Sequence, residues 1–90
     1  MTRWRRHPQA LTTELDGEAF LVRRDRDVIL RLNPTGAALW RALAEPADRA
    51  DLVELFAAAF PTETPERLAR DLDAAVAALI AGGMIDTDDG

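Results

Sequence analysis

Few residues in this 90-residue chain could perform chemistry alone. Cysteine and tyrosine are absent, as are serine and lysine, which removes the usual nucleophiles and every thiolate metal site. The one histidine, His7, follows Arg5-Arg6 and precedes Pro8. This single imidazole lies in an expected N-terminal tail, so neither a histidine-based triad nor a histidine metal cluster is available. Carboxylates are plentiful, but Asp71 and Asp73 sit among alanines on a helical segment and read as solvated or ion-paired positions. Gly82-Gly83 follows a helical pattern, whereas a phosphate-cradling loop would follow a strand. The residues therefore predict a non-enzyme with no catalytic residue, no metal and no cofactor. Recognition is what remains.

The elements that would present a recognition surface are organised around VILRLNPTGAALW, residues 28–40. Val28, Ile29, Leu30 and Leu32 suit a strand buried on at least one face. Asn33 precedes Pro34 and is pushed towards extended geometry, so a helix must start after it. Pro34 fixes φ for a first helical turn, and the Thr35 hydroxyl is a candidate cap. Everything before this corner reads as β and everything after it as α.

Upstream, residues 11–15 and 18–23 read as strands joined by Asp16-Gly17, a hairpin turn signal. Arg24-Asp25-Arg26-Asp27 reads as a second reversal, leading into the strand at 28–32. Residues 1–9 are expected to be a flexible tail, with Trp4 among three arginines. Downstream, a first helix covers about 35–44 and ends at Glu45-Pro46. Asp48 with Asp51 predicts an N-cap for a second helix that stops at Pro61. Thr64, Pro65 and Glu66 open the third and longest helix, 65–81, with Leu68, Leu72, Ala75, Val76 and Leu79 as its apolar stripe. Gly82-Gly83 stops it. Met84-Ile85 returns to the core, and residues 86–90 are expected to be an acidic tail. The predicted fold is a single α+β domain: a three-stranded antiparallel meander followed by three helices, similar in outline to a winged helix-turn-helix.

The net charge of −5 divides unevenly. Residues 1–41 hold eight arginines against five carboxylates, a balance of +3, and residues 42–90 hold three against eleven, a balance of −8. Two solvated faces are the simple reading; a groove between halves of opposite potential is the sharper one. No apolar run approaches the ~20 residues of a membrane span, and MTRWRRHPQ lacks the apolar segment of a secretory signal. No membrane association and a cytoplasmic location are expected.

Two binding modes suit such a fold. A winged-helix nucleic-acid binder would read DNA with the third helix, which should be basic. Residues 62–73 instead carry Arg67 and Arg70 against Glu63, Glu66, Asp71 and Asp73, a balance that repels phosphate. Alternatively, an exposed strand edge can take an extended peptide through backbone hydrogen bonds, unless that edge is covered or blunted by its arginines. A third reading makes the acidic helices the docking face of a subunit in an enzyme complex. An open edge also permits dimerisation or strand exchange.

The series ELDGEAFLV, VILRLNPTGAALW, DLVELFAAAF and LARDLDAAVAALIAGGMI resembles the PqqD-like family of pyrroloquinoline quinone biosynthesis and its relatives. Leu32-Asn33, Thr35-Gly36-Ala37 and Leu39-Trp40 are its most specific pieces, followed by the Asp-containing third helix that ends in Gly-Gly-Met-Ile. The resemblance implies a peptide chaperone, or precursor-peptide recognition element. Such a protein binds the leader segment of a ribosomally made peptide and presents it to a peptide-modifying enzyme, often a radical S-adenosylmethionine enzyme. It implies that the leader docks as an added strand on Val28, Ile29, Leu30, Arg31 and Leu32, beside the third helix. There Arg67, Asp71, Ala74, Ala75 and Ala78 flank the core stripe, and small alanines would leave room for bulky side chains. The plain alternatives are ordinary helix-forming alanines and a surface Arg67–Asp71 pair. Alternation places Val28, Leu30 and Leu32 towards the helices and Ile29 and Arg31 away from them.

Overall fold

A computed structural model describes residues 2–16 and 18–88. The order of elements is β1 (Arg3–Arg6), β2 (Leu11–Leu15), β3 (Glu18–Arg23), a 3₁₀ turn (Arg24–Arg26), β4 (Val28–Leu32), α1 (Pro34–Ala42), β5 (Ala47–Asp48), α2 (Arg49–Ala59), α3 (Pro65–Ala81) and β6 (Ile85–Asp88). The α+β class, the meander and the three helices stand as expected. The meander is β2-β3-β4, antiparallel throughout, with Leu11 opposite Val22 and Val22 opposite Ile29. Asp16 has φ 53°, as a tight reversal between Leu15 and Glu18 demands. Its partner in the expected turn, Gly17, lies outside the described residues.

A second sheet, of order β5-β1-β6, corrects the reading of both termini as tails. Residues 3–6 form its central strand, and residues 85–88 pair with it antiparallel, Arg6 opposite Ile85 and Arg3 opposite Asp88. The last two residues lie outside the described range. The cause is complementarity between segments far apart in sequence. Arg3 Nη2 reaches Asp88 at 3.5 Å, the His7 N–H donates to the Met84 carbonyl at 2.8 Å, and Trp4 packs on the core. Opposite charges facing each other across strands are favourable pairs, which neither segment displays alone.

Helix starts follow the sequence closely, with one change. The cap of α1 is Asn33, not Thr35: the Asn33 side chain accepts the Gly36 N–H at 2.7 Å. Proline at the first helical position still opens the turn. α1 closes at Ala42, shorter than expected. Asp48 and Asp51 complete a capping box for α2, and Thr64 caps α3 through the Arg67 N–H.

The core lies between the meander and the helices. Leu21 from β3, Leu39 and Leu43 at α1, Leu52 and Phe56 of α2, Leu72 and Leu79 of α3, and Met84 are all essentially solvent-free. Each such side chain contributes roughly 1.5–3 kcal/mol by leaving water. Two arginines tie the sheets to this core. Arg6 stacks on Trp40, and burial pushes its pKa down. Arg23, 5% exposed, donates from Nη1 to the Gly83 carbonyl at 2.9 Å and from Nε to Asp25 at 3.1 Å. The Arg23 guanidinium in turn holds the Asp25 carboxyl below its ordinary range.

Candidate functional site

β4 is an edge strand: among the described residues β3 is its only neighbour in the sheet. An edge strand of this kind carries a row of N–H and C=O groups that no neighbour uses. Its side chains alternate as expected. Leu32 is buried and Val28 and Leu30 half-buried towards the helices, whereas Arg31 is exposed and Ile29 is 72% exposed. Arg31 does not project freely, because its Nη2 donates to Glu18 on β3 at 2.5 Å.

Facing this edge is α3. It runs opposite to β4, with Asp71 near Asn33 and Thr35 and its C-terminal end near Leu30, where a Cβ on Gly82 would lie 3.8 Å from Leu30 Cδ2. Between the two elements is an open groove of about 290 Å³. Leu30, Arg31 and Leu32 form one wall, and Asp71, Ala74, Ala75, Ala78 and Leu79 form the other. The corner at Asn33, Thr35 and Gly36 closes one end. Alanine gives the helix wall its concavity. Leu72, Val76 and Leu79 turn inward and leave the small residues on the flank that overlooks β4.

The structure thus gathers Leu30, Arg31, Leu32, Asp71, Ala74, Ala75 and Ala78 around one hollow. It sets three residues of the expected site apart. Val28 and Ile29 line a separate shallow depression with Val22, Arg23 and Asp27. Arg67 belongs to the next hollow along α3, shared with Asp71, where its Nε pairs with Glu63 at 3.6 Å. Arg67 therefore does not pair with Asp71. Asp73 is ion-paired with Arg49, Nε to Oδ1 3.0 Å, which holds its carboxyl below the ordinary range. Asn33, Thr35, Gly36 and Leu79 complete the groove and were not among the expected site residues. The Asn-Pro corner is the sequence feature that places the first three there.

A larger, more polar hollow of about 520 Å³ adjoins the groove through Arg31, Leu32 and Asn33, and is lined by Glu14, Glu18 and Arg41. Among the described residues no group of three or more His, Asp or Glu side chains is placed to hold a metal ion. No described helix is long and apolar enough to cross a membrane.

A family model described as coenzyme PQQ synthesis protein D (PqqD) matches residues 18–85. The chain belongs to the PqqD family. The match spans the β3-β4 hairpin, all three helices and the first residue of β6, so both walls of the groove fall within the PqqD region. No curated protein and no solved structure matches the chain. PqqD membership supports a role as a small accessory or recognition protein in coenzyme biosynthesis.

Proposed function

We propose that this chain is a non-catalytic peptide chaperone. It takes the leader segment of a ribosomally synthesised precursor peptide as an added strand on β4 and presents the peptide to a modifying enzyme, of the radical S-adenosylmethionine type in the first instance. The observation that carries this reading is the free edge of β4 lying beside the alanine-walled groove of α3. Backbone groups on that edge supply affinity without regard to sequence, and the groove supplies a place for alternate side chains. Family membership agrees with a client that is a peptide and a partner that is a biosynthetic enzyme. A cytoplasmic setting follows from the same reading, since leader peptides are modified where they are made.

The test begins in the genome. A short reading frame beside this gene, next to a peptide-modifying enzyme, supplies the leader to synthesise. Titrated into isotope-labelled protein, it should shift the amide resonances of Leu30, Arg31 and Leu32 together with those of α3. A leader that leaves β4 and α3 unmoved would overturn strand addition. Binding of a DNA duplex with steep salt dependence would restore the nucleic-acid reading instead.

A further inference from the structure

The groove carries an unbalanced charge. Among the described residues two charged side chains line it, Arg31 and Asp71. Arg31 is committed to Glu18. Asp71 is half-buried, and its carboxylate has no ion-pair or hydrogen-bond partner among the described residues. The nearest turn of α3 offers none: Arg67 is paired with Glu63. At the adjoining start of α1, the Gly36 N–H is already taken by Asn33. A carboxylate in a concave, partly dry site is a poor neighbour for a second anion and a good one for a guanidinium or ammonium group.

Distance along the groove turns that charge into a sequence requirement. Asp71 and Ala75 are four residues apart on the helix, about 6 Å. Successive same-face residues of a strand are two apart, about 6.6 Å. An added strand that sets one side chain over the Ala74–Ala75–Ala78 hollow therefore sets its next same-face side chain beside Asp71. We propose, resting on the peptide-recognition reading above, that the captured strand carries a bulky apolar residue and, two positions from it, a lysine or arginine that pairs with Asp71. With the added strand antiparallel to β4, the cation precedes the apolar residue; with a parallel strand, it follows.

The test uses the full chain and a display library of randomised short peptides. Selection on the native protein should enrich a bulky apolar residue spaced two from Lys or Arg. Selection on Asp71→Arg should replace that cation with Asp or Glu at the same spacing. The best native-selected peptide should bind Asp71→Asn about tenfold more weakly, between the values for an exposed pair and a desolvated one. Asp71 has no partner among the described residues, so both variants should fold, which circular dichroism checks. Enrichment of apolar residues with an unchanged charge preference on Asp71→Arg would overturn the Asp71 subsite and leave the groove standing. Ala78→Leu, which fills the hollow, separates the two levels. Peptides that bind it as well as they bind the native chain, or no enrichment at all, would overturn the strand-addition reading and this one with it.

Discussion

The guanidinium carbon of Arg6 lies 4.5 Å from the centre of the Trp40 ring, and its Nε donates to the Trp40 carbonyl at 3.1 Å. One side chain from β1 thus satisfies a carbonyl of α1 and covers its largest aromatic, whose own Nε1 donates to Thr12 of β2 at 2.7 Å. Arg6→Ala should cost about 1–3 kcal/mol, from a charge-assisted hydrogen bond and a cation–π contact. Arg6→Lys should recover only part of it, because an ammonium cannot stack and fork as a guanidinium does. Thermal unfolding of the two variants beside the native chain gives the answer.

Gly83 and Gly82 should differ in their tolerance of alanine. Gly83 has φ 72°, and a Cβ there would lie 3.0 Å from both Arg23 Nη1 and Arg26 Nη1. Gly83→Ala should destabilise by at least about 1–2 kcal/mol, the cost of a left-handed backbone for an L-residue. Gly82 has φ −79°, and its nearest contact would be an ordinary 3.5 Å. Gly82→Ala should change stability by less than about 0.5 kcal/mol. Urea denaturation midpoints distinguish them.

Acid should weaken the fold through Asp25 and Asp73. Arg23 and Arg49 hold these two carboxyls below the ordinary value of 3.8. Near and below that value the unfolded chain binds more protons than the folded one, so stability there rises with pH. The contribution is fully present above the unfolded pKa and disappears as pH falls through the folded one. Asp25→Asn should lower the denaturation midpoint at neutral pH, and the gap from the native protein should close in strong acid. A gap that persists unchanged at low pH would assign the effect to packing.

Proline and alanine at Arg31 or Ile29 should separate backbone from side-chain recognition. At a position whose N–H points to the free edge, proline should weaken leader binding at least about tenfold, since it deletes a donor, while alanine stays within about twofold. Equal losses from both would sink strand addition. Denaturation of each variant identifies positions whose N–H serves β3 instead, because proline there unfolds the hairpin.

The parts of the fold that were legible in the sequence are those decided locally. The Asn33-Pro34 corner, the Asp48–Asp51 capping box and the Thr64-Pro65 start all rest on residues within one turn of each other. The second sheet rests on pairing of Arg3 with Asp88 and Arg5 with Asp86, more than eighty residues apart. Neither RWRR nor IDTD has apolar alternation, so each looks like a solvated end until the other is beside it. At the groove, alternation along Leu30-Arg31-Leu32 was readable as periodicity, whereas which flank of α3 faces β4 was not, because residues on both sides of the Leu72–Val76–Leu79 stripe fit equally well. That Arg67 turns to Glu63 was not readable either, because Glu63 and Asp71 are equally spaced from it and only the chain's path before Pro65 selects between them.

The Arg23–Gly83 hydrogen bond has a consequence for how selective the groove can be. It fastens the end of β3, and through it the start of β4, to the turn just beyond α3, while the Asn33 corner joins the other end of β4 to α1. The β4 wall is thus tied near one end to the turn beyond α3 and at the other to the start of α1. Under the proposed peptide recognition, these ties would resist widening of the groove. Client side chains would then be sorted by size, and a change of client would be recorded as a change in the alanines of the α3 wall.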